Sequence, residues 1–119
     1  MIRMKVMLHD GTSLTADDKA YNPADIEATL NNQRIQIMTI GNVLVNKNVI
    51  QSISPESRET DSNLYISYQN GLVVEAYDEN FNSTDLGNKL NDQKNLFVAV
   101  GDVIINKNLL KMIAPVQSA

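Results

Sequence analysis

The chain contains one sequence pattern twice, and this repeat constrains the fold more than any other feature. Residues 4–55 align without a gap on residues 64–115. The clearest match joins residues 41–50, GNVLVNKNVI, to residues 101–110, GDVIINKNLL. A separate unit of about 50 residues buries too little surface to be securely stable, whereas two packed units share a larger core. We therefore expect one domain over residues 1–119, made of two repeats joined by a linker at residues 56–63.

The first part of each copy predicts a hairpin followed by a short helix. Met4, Val6 and Leu8 occupy alternate positions, and Leu64, Ile66 and Tyr68 repeat this register, which is typical of strands with one buried face. Asp10-Gly11 and Asn70-Gly71 then favour tight hairpin turns. The helices are expected to begin after two asparagine or serine caps, in the segments Asn22-Pro23-Ala24-Asp25 and Asn82-Ser83-Thr84-Asp85.

The second part of each copy predicts the core strands. The unbroken apolar runs Val43–Val45 and Val103–Ile105 indicate strands that are covered on both faces and therefore central. Residues 49–53 and their matches fit either a last strand or a helical turn, and the prolines that close both segments favour a strand. The predicted class is α+β: an internal duplication of a ββαββ(β) unit, packed as two pseudo-symmetric halves. We expect a mainly antiparallel sheet or a pseudo-barrel, with two short helices.

Composition excludes several classes of function. The chain of 119 residues has no cysteine, a single histidine and a net charge of −4. It therefore offers no disulfide, thiolate nucleophile or histidine cluster for zinc. No apolar run approaches the roughly 20 residues that cross a bilayer. We expect a cytoplasmic, non-enzymatic protein with no cofactor, no metal and no membrane partner.

Matched cations provide a candidate anion-binding site. The triplets Asn46-Lys47-Asn48 and Asn106-Lys107-Asn108 are identical, and a further cation precedes the central strands of each copy. Four cations on one face would attract an RNA backbone. Alternatively, the asparagines cap turns and the lysines protect strand edges. The predicted site for nucleic acid or another anion comprises Arg34, Lys47, Asn48, Lys94, Lys107 and Asn108.

Aromatic residues are concentrated in the second copy and provide a candidate protein-binding surface. Tyr65 and Tyr68 have opposite parity along one predicted strand, so at least one of them should face outward. An exposed tyrosine can anchor a protein partner or stack on a base. The alternative is that these rings fill a core that the other copy fills with smaller residues.

The chain resembles a family of small proteins encoded on conjugative plasmids of Gram-positive bacteria, the PrgU-like regulators. The resemblance rests on the segment Tyr21-Asn22-Pro23-Ala24-Asp25-Ile26-Glu27 and on the later pattern Gly-x-Val-x-x-Asn-Lys-Asn. The resemblance covers most of the chain. It implies a pseudo-barrel similar to RNA-binding PUA domains, and a post-transcriptional role that limits synthesis of a surface adhesin. The expected function is thus a small regulatory protein that binds RNA. The alternative is a protein-interaction or assembly module of a mobile element.

Overall fold

The computed structural model describes residues 2–18, 21–57 and 61–116, and the same order of elements occurs in both halves of the chain. The N-terminal half contains β1 (Ile2–Leu8), β2 (Ser13–Asp18), α1 (Pro23–Asn31), β3 (Ile37–Ile40), β4 (Val43–Asn46) and β5 (Ile50–Pro55). The C-terminal half contains β6 (Leu64–Tyr68), β7 (Val73–Ala76), α2 (Ser83–Leu90), β8 (Phe97–Val100), β9 (Val103–Asn106) and β10 (Leu110–Pro115). Short 3-10 helices at Lys47–Val49 and Lys107–Leu109 precede the last strand of each half.

The strands of the described residues form three sheets with antiparallel pairing. The largest has the order β2-β1-β5-β9-β8, the second has the order β10-β6-β7, and within these residues β3 and β4 pair with each other alone. The predicted α+β class, with two short helices and mainly antiparallel sheets, is confirmed. The expected pseudo-barrel does not form among the described residues, because β8 and β9 extend the sheet of β5 while β3 and β4 form a separate pair.

Local polar contacts explain where the helices begin. The Asn22 Oδ1 atom accepts hydrogen bonds from the backbone N–H groups of Ala24 and Asp25, at 3.0 and 3.3 Å. The Asn82 Oδ1 atom likewise accepts from the N–H group of Asp85 at 3.1 Å. These side chains satisfy donors that the first turn of a helix leaves free. Both predicted N-caps are confirmed.

The two alternatives predicted for residues 49–53 and their matches, a helical turn and a last strand, are both confirmed in part. Asn46 Oδ1 accepts from the Asn48 N–H at 2.9 Å and Asn106 Oδ1 accepts from the Asn108 N–H at 3.0 Å. Each contact fixes one 3-10 turn, and an extended strand follows at once. The sequence therefore encodes a helical turn and then a strand.

The prediction of two central, fully covered strands is right for β9 and wrong for β4. All four residues of β9 are buried, and this strand lies between β5 and β8. In β4 the Leu44 side chain is 70% exposed and only Val45 is buried. The reason is tertiary: among the described strands β4 pairs with β3 alone, and Leu44 lies on a face that is open to solvent.

The β8–β9 hairpin lies between two hydrophobic clusters and belongs to both. Phe97 and Ile104 join a cluster of the N-terminal half, together with Met4, Val6 and Ile53. Residues of the opposite parity on the same hairpin join the C-terminal cluster: Val98, Val100, Val103 and Ile105. Because strand side chains alternate between faces, one hairpin supplies apolar contacts to both halves. The halves thus share β8–β9 as a common layer.

A glycine with positive φ fixes the turn of this hairpin against its own half. Gly101 has a φ of 59°, and a Cβ atom there would collide with the backbone oxygen of Tyr77. The Asp102 N–H donates to that oxygen at 3.1 Å, while Asp102 Oδ1 accepts from the Tyr77 N–H at 2.9 Å. Glycine is needed because the turn combines a left-handed backbone with close approach to a neighbour.

In the described part of the chain, neither helix is long and apolar enough to cross a membrane.

Candidate functional surface

The two matched lysines are bound to helix ends in the same way. Lys47 Nζ donates to the carbonyl oxygens of Leu30 and Asn32, at 3.3 and 3.0 Å. Lys107 Nζ donates to the carbonyl oxygens of Leu90 and Asp92, at 3.0 and 2.8 Å. Cations at a helix C-terminus satisfy free carbonyls and interact favourably with the helix dipole. These contacts give both lysines a structural role.

The other predicted anion-binding residues are exposed, and the contacts do not assemble them into one site. Asn48, Asn108, Arg34 and Lys94 are all exposed. The Arg34 and Lys94 backbone N–H groups donate to Asn32 Oδ1 and Asp92 Oδ1, both at 3.0 Å, and neither charged side chain has a partner among the described residues. Lys47 lies at the end of α1 and Lys107 at the end of α2, so a shared groove for RNA stays a prediction.

The two candidate tyrosines differ in burial. Tyr65 is 38% exposed on β6, whereas Tyr68 is only 2% exposed and belongs to the C-terminal core cluster. Burial raises the pKa of the Tyr68 hydroxyl. The hydroxyl lies beside the Ser52 and Gln51 side chains, whose interaction with it partly offsets this rise. Only Tyr65 of this pair offers a ring to a partner.

The His9 side chain contacts its own half, and its backbone oxygen accepts a hydrogen bond from the other half. Its Nδ1 atom lies 2.8 Å from Gln51 Oε1, and its Nε2 atom lies 3.1 Å from the Asn48 backbone oxygen. Asn70 Nδ2, on the β6–β7 turn, donates to the His9 backbone oxygen at 3.0 Å and approaches Gln51 Oε1 at 3.4 Å. The described residues contain no group of three His, Cys, Asp or Glu side chains that could hold a metal ion. The His9 side chain therefore fixes β1 to the segment around Asn48 and Gln51, and its backbone joins the β6–β7 turn.

The contacts of the β8–β9 hairpin with α1 and β5, which we call the hairpin junction, join the halves most extensively. Strand β5 pairs with β9 in a register that places Ser52 opposite Ile105 and Ile53 opposite Ile104. The Asn31 side chain, at the end of α1, makes two hydrogen bonds to the Phe97 backbone: Nδ2 donates to the oxygen at 2.8 Å, and Oδ1 accepts from the N–H at 2.9 Å. An amide side chain thus acts as an extra strand residue at the hairpin edge.

Further polar groups complete the hairpin junction. Asn106 is 1% exposed, and its Nδ2 group donates to the Ile50 oxygen at 3.1 Å. Glu27 accepts from the Ala99 N–H through Oε2 and also pairs with Lys89 of α2 at 2.8 Å. The Tyr21 hydroxyl contacts the Asp102 oxygen at 2.6 Å. These side chains thus pair with backbone or charged groups across the contact, as buried polar atoms in stable interfaces commonly do.

The corresponding surface of the C-terminal half is open. Helix α2 and strand β10 border an apolar groove of about 240 Å³, which we call the α2–β10 groove. Helix α2 contains no fully buried residue, whereas α1 buries Ile26 and Leu30. Strand β10 is an edge strand, and Met112 is 48% exposed on it. The groove is lined by Phe81, Ser83, Leu86, Gly87, Leu90, Leu110, Lys111, Met112 and Ile113.

The β3–β4 hairpin is the second open apolar surface, and we call it the free hairpin (residues 37–46). Ile37 is 50% exposed and Leu44 is 70% exposed, although the matched residues Phe97 and Ile104 are buried. Sequence reasoning missed both surfaces, because a core-forming pattern appears in each copy and gives no sign that only one hairpin is covered.

No protein-family model, curated protein or solved structure matched the chain significantly.

Proposed function

We propose that the protein is a non-enzymatic protein-interaction module that binds its partner through the α2–β10 groove. One observation carries the proposal: an apolar groove lies directly beside the edge of β10 with which no described strand pairs, and Met112 is exposed between them. Sheet edges present unpaired backbone donors and acceptors, and proteins commonly bind an added strand there. The groove then selects apolar side chains of that strand.

The proposed architecture is an internal duplication of a ββαββ(β) unit into two pseudo-symmetric halves. It is supported by contacts that recur at matched positions: the helix caps of Asn22 and Asn82, and the lysine contacts of Lys47 and Lys107. Under this proposal, the groove of one half corresponds to the surface that binds a hairpin in the other half. A surface of that type is suited to a strand or hairpin ligand.

RNA binding, and the plasmid-encoded regulatory role with it, has less physical support. The ammonium groups of Lys47 and Lys107 already contact helix-end carbonyls, so only Arg34 and Lys94 of the four cations extend freely. A net charge of −4 also repels a polyanion at long range. An interaction driven by apolar burial at the groove does not need a basic surface.

Site-specific photo-crosslinking tests the proposal. A photoreactive phenylalanine analogue replaces Met112 in the full chain, and the same analogue replaces exposed Glu79 as a matched control. After irradiation in extract, with and without nuclease, we expect a nuclease-resistant protein adduct at position 112 only. Peptide mapping should place the crosslink on an apolar strand, and Leu86→Asp should abolish it. Adducts with RNA alone, or equal protein adducts at both positions, would contradict the proposal.

A further inference from the structure

We propose that the ligand of the α2–β10 groove is the free hairpin of a second copy of this chain. This inference rests on the proposed function and names its partner. The chain already contains one hairpin bound between a helix and a strand, which is the hairpin junction. The same sequence pattern supplies a second hairpin and a second helix–strand surface, and both lack a partner among the described residues.

The register of the hairpin junction defines the contact between copies. Within the chain, Ile53 of β5 lies opposite Ile104 of β9, and Ser52 lies opposite Ile105. The aligned positions pair Ile113 of β10 with Leu44 of the second copy, and Met112 with Val45. Two of the most exposed apolar side chains, Leu44 and Met112, would then be buried at one contact. Burial of apolar surface is the main driving force of association.

Polar groups that are paired in the hairpin junction have unpaired counterparts at the open surfaces. Asn31 holds the Phe97 backbone with two hydrogen bonds, whereas the matched Asn91 is exposed and its side chain has no partner among the described residues. The residue that aligns with Phe97 is Ile37, at the start of the free hairpin. A second copy docked in the same register would bring the Ile37 backbone to the Asn91 amide.

A second amide shows the same contrast. Asn106 Nδ2 donates to the Ile50 oxygen and the side chain is buried. In the free hairpin Asn46 is exposed, its Oδ1 atom accepts from Gln36 and Asn48, and its Nδ2 group donates to no described residue. The carbonyl aligned with that of Ile50 belongs to Leu110 of β10. Docking supplies the missing acceptor from another copy.

Charge complementarity favours a copy of this chain over an arbitrary apolar strand. Within the chain, Asn70 approaches Gln51 across the two halves at 3.4 Å. The residues that align with Asn70 and Gln51 are Asp10 and Lys111. Asp10 lies on the β1–β2 turn, in the same half as the free hairpin, and Lys111 lines the α2–β10 groove. Both are exposed and carry opposite charges, so the second copy would place a carboxylate beside the Lys111 ammonium.

The contact is head-to-tail, because a hairpin meets a groove and not a second hairpin. Such heterologous contacts form rings when the rotation between copies closes, and open chains when it does not. Reciprocal docking of two copies would give a closed dimer of four halves. In either geometry each copy has one donor surface and one acceptor surface, and this polarity can be tested directly.

Sedimentation analysis of the full chain over a wide concentration range is the first test. We expect the mass to rise above that of the 119-residue monomer with increasing concentration. Leu44→Asp and Met112→Asp should each raise the dissociation constant at least tenfold, with circular dichroism unchanged because both side chains are exposed. Val73→Asp is the matched control, since Val73 is 43% exposed on β7, away from both surfaces.

Mixing the two defective variants tests the polarity. The Leu44→Asp copy retains an intact groove and the Met112→Asp copy retains an intact hairpin, so a mixture should form a one-to-one complex that neither variant forms alone. Failure of the mixture to associate, when the wild type does associate, would exclude hairpin-to-groove docking and indicate a contact between like surfaces.

Disulfide trapping identifies the source of the hairpin. The chain has no cysteine, and directly opposed strand residues have Cβ atoms about 5 Å apart, so Leu44→Cys with Ile113→Cys reports this register alone. We expect a 44–113 bond between chains. A bond within one chain, or a monomer at every concentration, would overturn the inference. If Met112 still crosslinks to an apolar strand of another protein, the proposed function survives that outcome; if it does not, both fail.

Discussion

The β3–β4 and β8–β9 hairpins have the same length and the same register but opposite surroundings. Ile37 pairs with Asn46 in the first, as Phe97 pairs with Asn106 in the second. Ile37 is 50% exposed and Phe97 is fully buried, while Leu44 and Ile104 are 70% and 1% exposed. Similar hairpins therefore differ in burial because of what packs on them. An isolated hairpin is marginally stable, and neighbouring layers supply what it lacks.

The largest difference is expected from truncating a matched apolar pair. Ile104→Ala removes a buried side chain shared with the N-terminal core and should cost about 2–5 kcal/mol of unfolding free energy. Leu44→Ala should change the free energy of unfolding of the monomer by no more than about 0.5 kcal/mol, since the side chain is mostly in solvent. Urea unfolding at low protein concentration measures both. Equal losses would show that the hairpins are equivalent in solution.

A smaller difference is expected from the matched asparagines at the helix ends. Asn31→Ala leaves the Phe97 N–H and carbonyl groups without their side-chain partner and should cost about 1–3 kcal/mol. Asn91→Ala breaks no side-chain hydrogen bond among the described residues, so its effect on the monomer should stay within about 0.5 kcal/mol. Chemical denaturation separates the two cases. Hydrogen exchange at the Phe97 amide should rise only in the Asn31 variant.

The smallest difference concerns two cations of one half. Lys107→Met removes two hydrogen bonds to carbonyl groups at the end of α2 and should cost about 1 kcal/mol, whereas Lys94→Met should be near neutral. Thermal unfolding followed by circular dichroism measures the change. A larger loss for Lys94 would contradict the structural role assigned to Lys107. Filter binding of RNA by the same variants would separate structural lysines from any that contact nucleic acid.

Local chemistry made much of the fold predictable. Asn22 and Asn82 cap helices because their side chains reach backbone groups two or three residues away, and the sequence contains both partners. The turn at Gly11 and the alternating pattern of β1 were predictable for the same reason. Such contacts depend on neighbours along the chain.

The parts that sequence could not supply depend on partners far along the chain. The sequence predicts anion binding for Lys47 and Lys107, but Lys107 Nζ contacts carbonyl groups 15 and 17 residues away, which the tertiary fold brings close. The sequence predicts partner binding for Tyr65 and Tyr68, yet it shows only that they lie on opposite faces of one strand and not which face is covered. The open groove follows from an unequal use of similar halves, which a repeated pattern conceals.

The ion pair between Glu27 and Lys89 has no counterpart at the aligned positions, which hold Gly87 and Thr29. The hairpin junction inside the chain also forms between tethered segments, whose effective concentration is in the millimolar range. A contact between copies lacks both advantages. Under the proposed docking, the two halves pack together as each chain folds, whereas the association of copies depends on the concentration of the protein. Cellular expression level would then decide when the assembled form appears.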